Sequence, residues 1–142
     1  MGDMVGRMLR EPMGLGVFSP YDRSEEGSAY DLRRLVDAIP REERAAVADY
    51  LDSAPLVVAW MCVDRDTISG VPDAVMGGSS IATDGVWIWR CEASYYVRTY
   101  GVAIPGPALT RMRQLSWRPP PLAPEDVAAL ERRVLLRLEE WY

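Results

Sequence analysis

The pair Asp84-Gly85, set between Ser79-Ser80-Ile81-Ala82-Thr83 and Val86-Trp87-Ile88-Trp89, constrains the fold more than any other stretch of the chain. An Asp-Gly pair between alternating segments is a strong short-range signal for a β-hairpin, because the twist of the tight turn matches that of the strands it joins. A type I′ turn on these residues pairs Thr83 with Val86, Ala82 with Trp87, Ile81 with Ile88 and Ser80 with Trp89. Ile81, Thr83, Val86 and Ile88 then share one face. The other face sets the small Ser80 and Ala82 beside the indoles of Trp87 and Trp89, which gives the rings room. A slip of one residue would exchange the faces and destroy that match. Asp84 therefore reads as turn chemistry and not as a catalytic acid.

Elements on either side of the hairpin complete an α+β pattern. The run Leu56-Val57-Val58-Ala59-Trp60-Met61-Cys62-Val63 has no polar alternation, so it predicts a strand buried on both faces at the centre of the sheet. Gly77-Gly78 predicts a bulge or a close approach of backbones. Helices are expected from Ser28, an N-cap, to Ile39, and over residues 41–52 with Ala45, Val47, Ala48 and Leu51 inward. Another spans Glu92 to Tyr100, ended by Gly101, and another runs from the Pro105-Gly106-Pro107 turn to about Leu115. The expected fold is a single α+β domain over residues 28–117, a small three-stranded antiparallel sheet with helices before and after it. Residues 1–27, broken by glycines and prolines, read as an irregular arm.

Beyond Trp117, residues 118–124 read as a stiff proline-rich linker, since Pro119-Pro120-Pro121 favours extended backbone. Residues 125–142 read as an extra amphipathic helix whose stripe is Val127, Leu130, Val134, Leu138 and Trp141. That stripe has two outlets: it folds back on its own domain, or it packs against a second copy or another protein.

Composition narrows the chemistry. The 142 residues carry a net charge of −5 and contain no histidine, no lysine and no asparagine. An acidic chain is a poor match for phosphate backbones, so nucleic acid is not an expected partner. Without histidine the commonest general base and metal ligand is missing, and without lysine Schiff-base and P-loop chemistry fall away. Neither Cys62 nor Cys91 has an imidazole to activate it, and two cysteines do not make a disulfide scaffold, so both are expected as buried free thiols. Asp64, Asp66 and Gly70 imitate the start of a calcium loop, but a third ligand and the closing Glu are missing, and a polar turn is the simpler reading. Ser79-Ser80 lacks the G-x-S-x-G spacing of a nucleophile elbow. No catalytic residue, metal or cofactor is assigned. No apolar run has the length of a membrane span and no signal peptide is evident, so the chain is expected in the cytoplasm with no membrane partner.

Aromatic residues are the remaining candidates for recognition. Trp87, Trp89, Tyr95, Tyr96 and Tyr100 crowd one short stretch, and such side chains supply both cores and protein-binding surfaces. The sequence Thr83-Asp84-Gly85-Val86-Trp87-Ile88-Trp89, with Tyr95-Tyr96-Val97-Arg98-Thr99-Tyr100 and Val102-Ala103-Ile104-Pro105, resembles small bacterial proteins of actinobacterial type. Those carry a T-D-G-x-W-x-W, Y-Y-V-x-x-Y, V-x-x-P signature and are immunity-like proteins of polymorphic toxin systems. The resemblance covers roughly residues 55–112. Glu92-Ala93 stands where those proteins have an acidic residue followed by leucine, and Leu109 where they have phenylalanine. It implies a non-enzymatic protein-binding domain that would neutralise a partner toxin, with Trp87, Trp89, Tyr95, Tyr96 and Tyr100 as the binding set. A homodimer through the last helix is a further expectation. Two other classes stay open. One is an accessory protein or small enzyme of a biosynthetic pathway, taking substrate in a pocket lined by Trp87, Trp89, Tyr95 and Tyr96. The other is a structural subunit that docks through its C-terminal helix.

Overall fold

The hairpin forms, in a register two residues from the one a tight Asp-Gly turn would impose. The computed structural model describes residues 10–21 and 32–139. Its strands are β1 (Met13–Gly14), β2 (Leu56–Val58), β3 (Val63–Asp64), β4 (Val75–Met76), β5 (Ile81–Thr83) and β6 (Trp87–Arg90). Its α-helices are α1 (Arg41–Ser53), α2 (Glu92–Tyr100), α3 (Gly106–Gln114) and α4 (Pro124–Glu139). The expected helix start at Ser28 and the expected side chain of Trp141 lie outside the described residues.

In the hairpin, Ile81 pairs with Arg90, Ala82 with Trp89 and Thr83 with Ile88. The shift comes from Asp84, whose side chain does the work that a second left-handed residue would do in a type I′ turn. Its Oδ1 accepts hydrogen bonds from the N–H groups of Val86 (2.9 Å) and Trp87 (2.7 Å), and the Thr83 hydroxyl donates to the Trp87 carbonyl (2.7 Å). Only Gly85 at the tip takes a positive φ, 93°. Because the slip is even, every side chain keeps its face, and Ala82 still lies beside an indole.

The sheet differs from the three-stranded antiparallel one expected. It has four strands in the order β1-β6-β5-β2, with β1 parallel to β6, and a separate two-stranded ribbon pairs β3 with β4. The extra strand comes from the arm expected to be irregular. A two-residue strand carries no readable period, yet Leu15 and Phe18 beside it are fully buried, and Arg90 donates to the carbonyls of Val17 and Ser19. The apolar run of residues 56–63 is not a central strand. It supplies the bulged edge strand β2, leaves the sheet after Val58, and re-enters as β3 of the ribbon.

Two cores result, one on each face of the hairpin. Ala82, Trp87 and Trp89 pack with Val47 and Tyr50 of α1, Ala93 and Tyr96 of α2, and Phe18. On the other face, Ile81, Ile88, Val57 and Val58 pack with Leu130 and Val134 of α4. Val127 and Leu138 lie partly buried at the margin of this second core. The last helix thus takes the first of its two outlets, within its own chain. A homodimer built on that stripe would have to open the second core. Leu130→Ala is expected to lower stability by about 2–3 kcal/mol, read as a shift of the urea midpoint, because it removes a buried branched side chain and leaves a cavity.

Smaller differences have local causes. Ala45 is exposed, while Tyr50 is fully buried in its stead, drawn in by its bond to Asp84. Where the helix expected to reach Ile39 should continue, helical backbone covers residues 32–34 and gives way to a turn, and Asp37 turns left-handed at φ 58°. The N–H groups of Asp37 and Ala38 are then free to reach the carbonyls of Tyr100 (2.8 Å) and Gly101 (2.9 Å). Gly101 ends α2 as expected, at φ 63°, with its N–H bonded to Val97 (2.8 Å). Gly78 is hemmed in by side chains, since a Cβ there would lie 2.9 Å from Val75 Cγ1 and 3.2 Å from Glu92 Cβ, and its carbonyl accepts the Glu92 N–H at 3.0 Å.

Candidate functional site

Helix α2 brings its three tyrosines to the loop that joins β3 to β4. Asp66 in that loop is 1% exposed and its carboxylate accepts four hydrogen bonds. Oδ1 takes the N–H groups of Ile68 (2.8 Å) and Ser69 (3.0 Å), and Oδ2 takes the hydroxyls of Tyr95 (2.7 Å) and Tyr100 (2.5 Å). Next to it, the Tyr96 hydroxyl accepts the Thr67 N–H (2.9 Å) and meets the Thr67 hydroxyl at 3.1 Å. The loop is thus clasped at successive residues to successive turns of one helix.

The electrostatics of the clasp are those of a structural joint. Burial pushes the Asp66 carboxyl up, but its donors, Tyr100 foremost, outweigh that and bring it down to about 2. The bond to Asp66 raises Tyr95 to about 12 and raises Tyr100 as well. At neutral pH the carboxylate is ionised and both tyrosines are neutral donors, so no group in the clasp is poised to move a proton. With its oxygens already facing four donors, Asp66 has little capacity left for a cation. Among the described residues, no group of three or more His, Cys, Asp or Glu side chains is arranged to hold a metal.

Asp84 is the second buried carboxylate, 1% exposed. Besides its two turn N–H groups it accepts the Tyr50 hydroxyl at 2.5 Å and Nε of Arg111 at 3.3 Å, which ties the hairpin tip to α1 and α3. Burial and the bond to Asp84 push the Tyr50 hydroxyl up. Burial likewise pushes the Cys91 thiol up to about 11, so it stays protonated; both cysteines are free and half-buried.

The residues expected to bind a partner divide into two groups. Trp87 and Trp89 are 7% and 0% exposed and belong to the first core, where Tyr50 lies 6.5 Å from Trp89 between ring centroids. Tyr96 is also fully buried, with its ring 6.2 Å from Phe18. A pocket lined by these rings would be filled by the protein itself. Tyr95 and Tyr100 are half-buried, and their hydroxyls are engaged by Asp66.

What lies open is the ribbon that the clasp holds. Val63 sits opposite Met76, and they are 51% and 81% exposed; Trp60 and Met61, just before β3, are 52% and 107% exposed. The backbone beneath them is fixed. Ser80 Oγ accepts the Trp60 N–H (2.9 Å) and donates to the Trp60 carbonyl (3.2 Å), and the Cys62 carbonyl accepts the Gly77 N–H (2.7 Å). Trp60 and Met61 belong to the run that predicts a core strand, yet both stand in solvent. An apolar run of this length is ordinary for a buried strand, and nothing in the sequence marks the break after Val58 that β2 shows.

No family model, no curated protein and no solved structure matches the chain. The immunity-like resemblance rests on the residues quoted for it. Among the described residues, no helix is long and apolar enough to cross a membrane.

Proposed function

We propose that this chain is a non-enzymatic protein-binding domain of immunity type, which binds and neutralises a partner toxin, and that the β3–β4 ribbon is its contact face. The observation that carries the reading is the open set Trp60, Met61, Val63 and Met76 on a backbone anchored by Ser80 and by the Asp66 clasp. Large apolar side chains grouped on a surface mark interaction sites, and tryptophan and methionine are enriched there. A fixed backbone lowers the ordering cost of binding. The two buried carboxylates support a role without catalysis, because Asp66 and Asp84 are each engaged by four donors that hold the fold together. The net charge of −5 suits a basic partner, through faster encounter and complementary potential.

The test compares two baits in the native host, the wild-type chain and the triple variant Trp60→Ser, Met61→Ser, Met76→Ser. All three side chains are more than half exposed, so the variant should melt like the wild type. A basic protein retained by the wild type should bind the variant at least about thirtyfold more weakly, as for an interface hot spot. Equal retention by both baits would count against the ribbon as the contact face.

A further inference from the structure

We infer that residues 118–124, Arg-Pro-Pro-Pro-Leu-Ala-Pro, are a second recognition element: a polyproline ligand for a domain whose groove is lined by aromatic rings and closed at one end by carboxylates, the SH3 type. Each proline fixes its own φ, and each residue before a proline is pushed toward extended backbone, so five of residues 118–123 are biased to the polyproline II helix, and Pro124 closes the segment as the first residue of α4. Residues 118–123 accordingly form neither helix nor strand.

That helix has three residues per turn, so positions 118, 121 and 124 lie along one edge. The exposure pattern follows this period. Arg118, Pro121 and Pro124 are exposed, while the residues between them are partly covered. Leu122 points the other way, into the second core, with Cδ2 3.2 Å from where a Gly85 Cβ would stand. The chain therefore seats one edge of the segment on its own hairpin tip and leaves the edge bearing Arg118 free. The turn before it is unusual: Ser116 and Trp117 both take positive φ, 53° and 64°, a region that bulky residues avoid. The Trp117 N–H still bonds to the Met112 carbonyl at 2.8 Å, which sets the direction in which the prolines leave α3.

The spacing R-x-x-P-x-x-P fits one kind of groove. Pro121 and Pro124 fill neighbouring slots between aromatic rings, and Arg118, one turn earlier, meets a carboxylate and fixes the direction of the ligand. Four prolines restrict the free segment beforehand, so little conformational entropy is lost on docking. This surface is separate from the ribbon. Leu122 seats it at the tip of the hairpin, whereas Ser80 anchors Trp60 at the hairpin's other end.

The test titrates the full chain against a purified SH3 domain that selects R-x-x-P-x-x-P ligands, followed by calorimetry. Saturable one-to-one binding is expected, weakened about tenfold or more in Arg118→Glu and in Pro121→Ala. Both positions are exposed, and circular dichroism should show unchanged folding of each variant. The triple ribbon variant should bind the SH3 domain like the wild type. The inference is overturned if the wild-type chain does not bind, or if Arg118→Glu and Pro121→Ala bind as tightly as it does.

Discussion

Replacing Asp66 with alanine is expected to cost about 3–5 kcal/mol of stability and to loosen the segment from Val63 to Met76 first. The loss is large because four donors lose one acceptor group: the hydroxyls of Tyr95 and Tyr100 and the N–H groups of Ile68 and Ser69. Asp66 is 1% exposed and its donors are bound at part-buried positions, so water replaces the carboxylate only in part. Urea unfolding reads the total cost. Hydrogen exchange reads its location, with faster exchange expected in the loop and ribbon than in α1. The same group sets an acid limit. Its carboxyl is lowered from 3.8 to about 2, so its contribution is complete above about pH 4 and fades as the pH falls toward 2. That contribution amounts to about 2 kcal/mol, and the Asp66→Ala variant should lose less stability than the wild type over this range.

Asp84→Asn separates two accounts of the hairpin. In a type I′ turn, Asn-Gly is at least as good as Asp-Gly, and the substitution would be neutral or stabilising. In the observed turn the carboxylate also receives the Tyr50 hydroxyl and the Arg111 guanidinium, so exchange of one oxygen for an amide should cost about 1–2 kcal/mol. Asp84→Ala should cost about 3–5 kcal/mol, because the N–H groups of Val86 and Trp87 lose their acceptor and a buried tyrosine loses its partner. Urea midpoints of the two variants, with near-ultraviolet circular dichroism to follow the packing of Trp89, check both values.

Features set by local chemistry were legible in the chain. Gly101 ends α2, Pro107 stands in the first turn of α3, and the two faces of the hairpin carry the residues that the sequence predicts although the pairing differs by two residues. An error of two leaves the faces intact, which is why the Trp89 core could be read from a wrong register. Features that depend on distant partners were not legible. The strand Met13–Gly14 exists because β6 offers it hydrogen-bonding groups and because Arg90 holds the carbonyls of Val17 and Ser19; nothing at residues 13 and 14 announces it. Asp66 reads in the sequence as part of a polar turn, which its bonds to Ile68 and Ser69 fit, but its other two donors, Tyr95 and Tyr100, sit about thirty residues away on α2 and leave no local mark.

The apolar run from Leu56 to Val63 misled for a different reason. Unbroken hydrophobicity predicts burial on both faces, yet Trp60 and Met61 are held outward by Ser80 and the ribbon. Hydrophobic patterning does not distinguish a core strand from an exposed apolar surface, since both need the same residues.

The most direct measurement of the ribbon's role is hydrogen exchange of the chain alone and in complex with the basic protein it retains. Slower exchange on binding is expected in peptides covering residues 60–64 and 75–77, where Trp60, Met61, Val63 and Met76 stand open. Protection confined to other segments, with those two unchanged, would contradict the account.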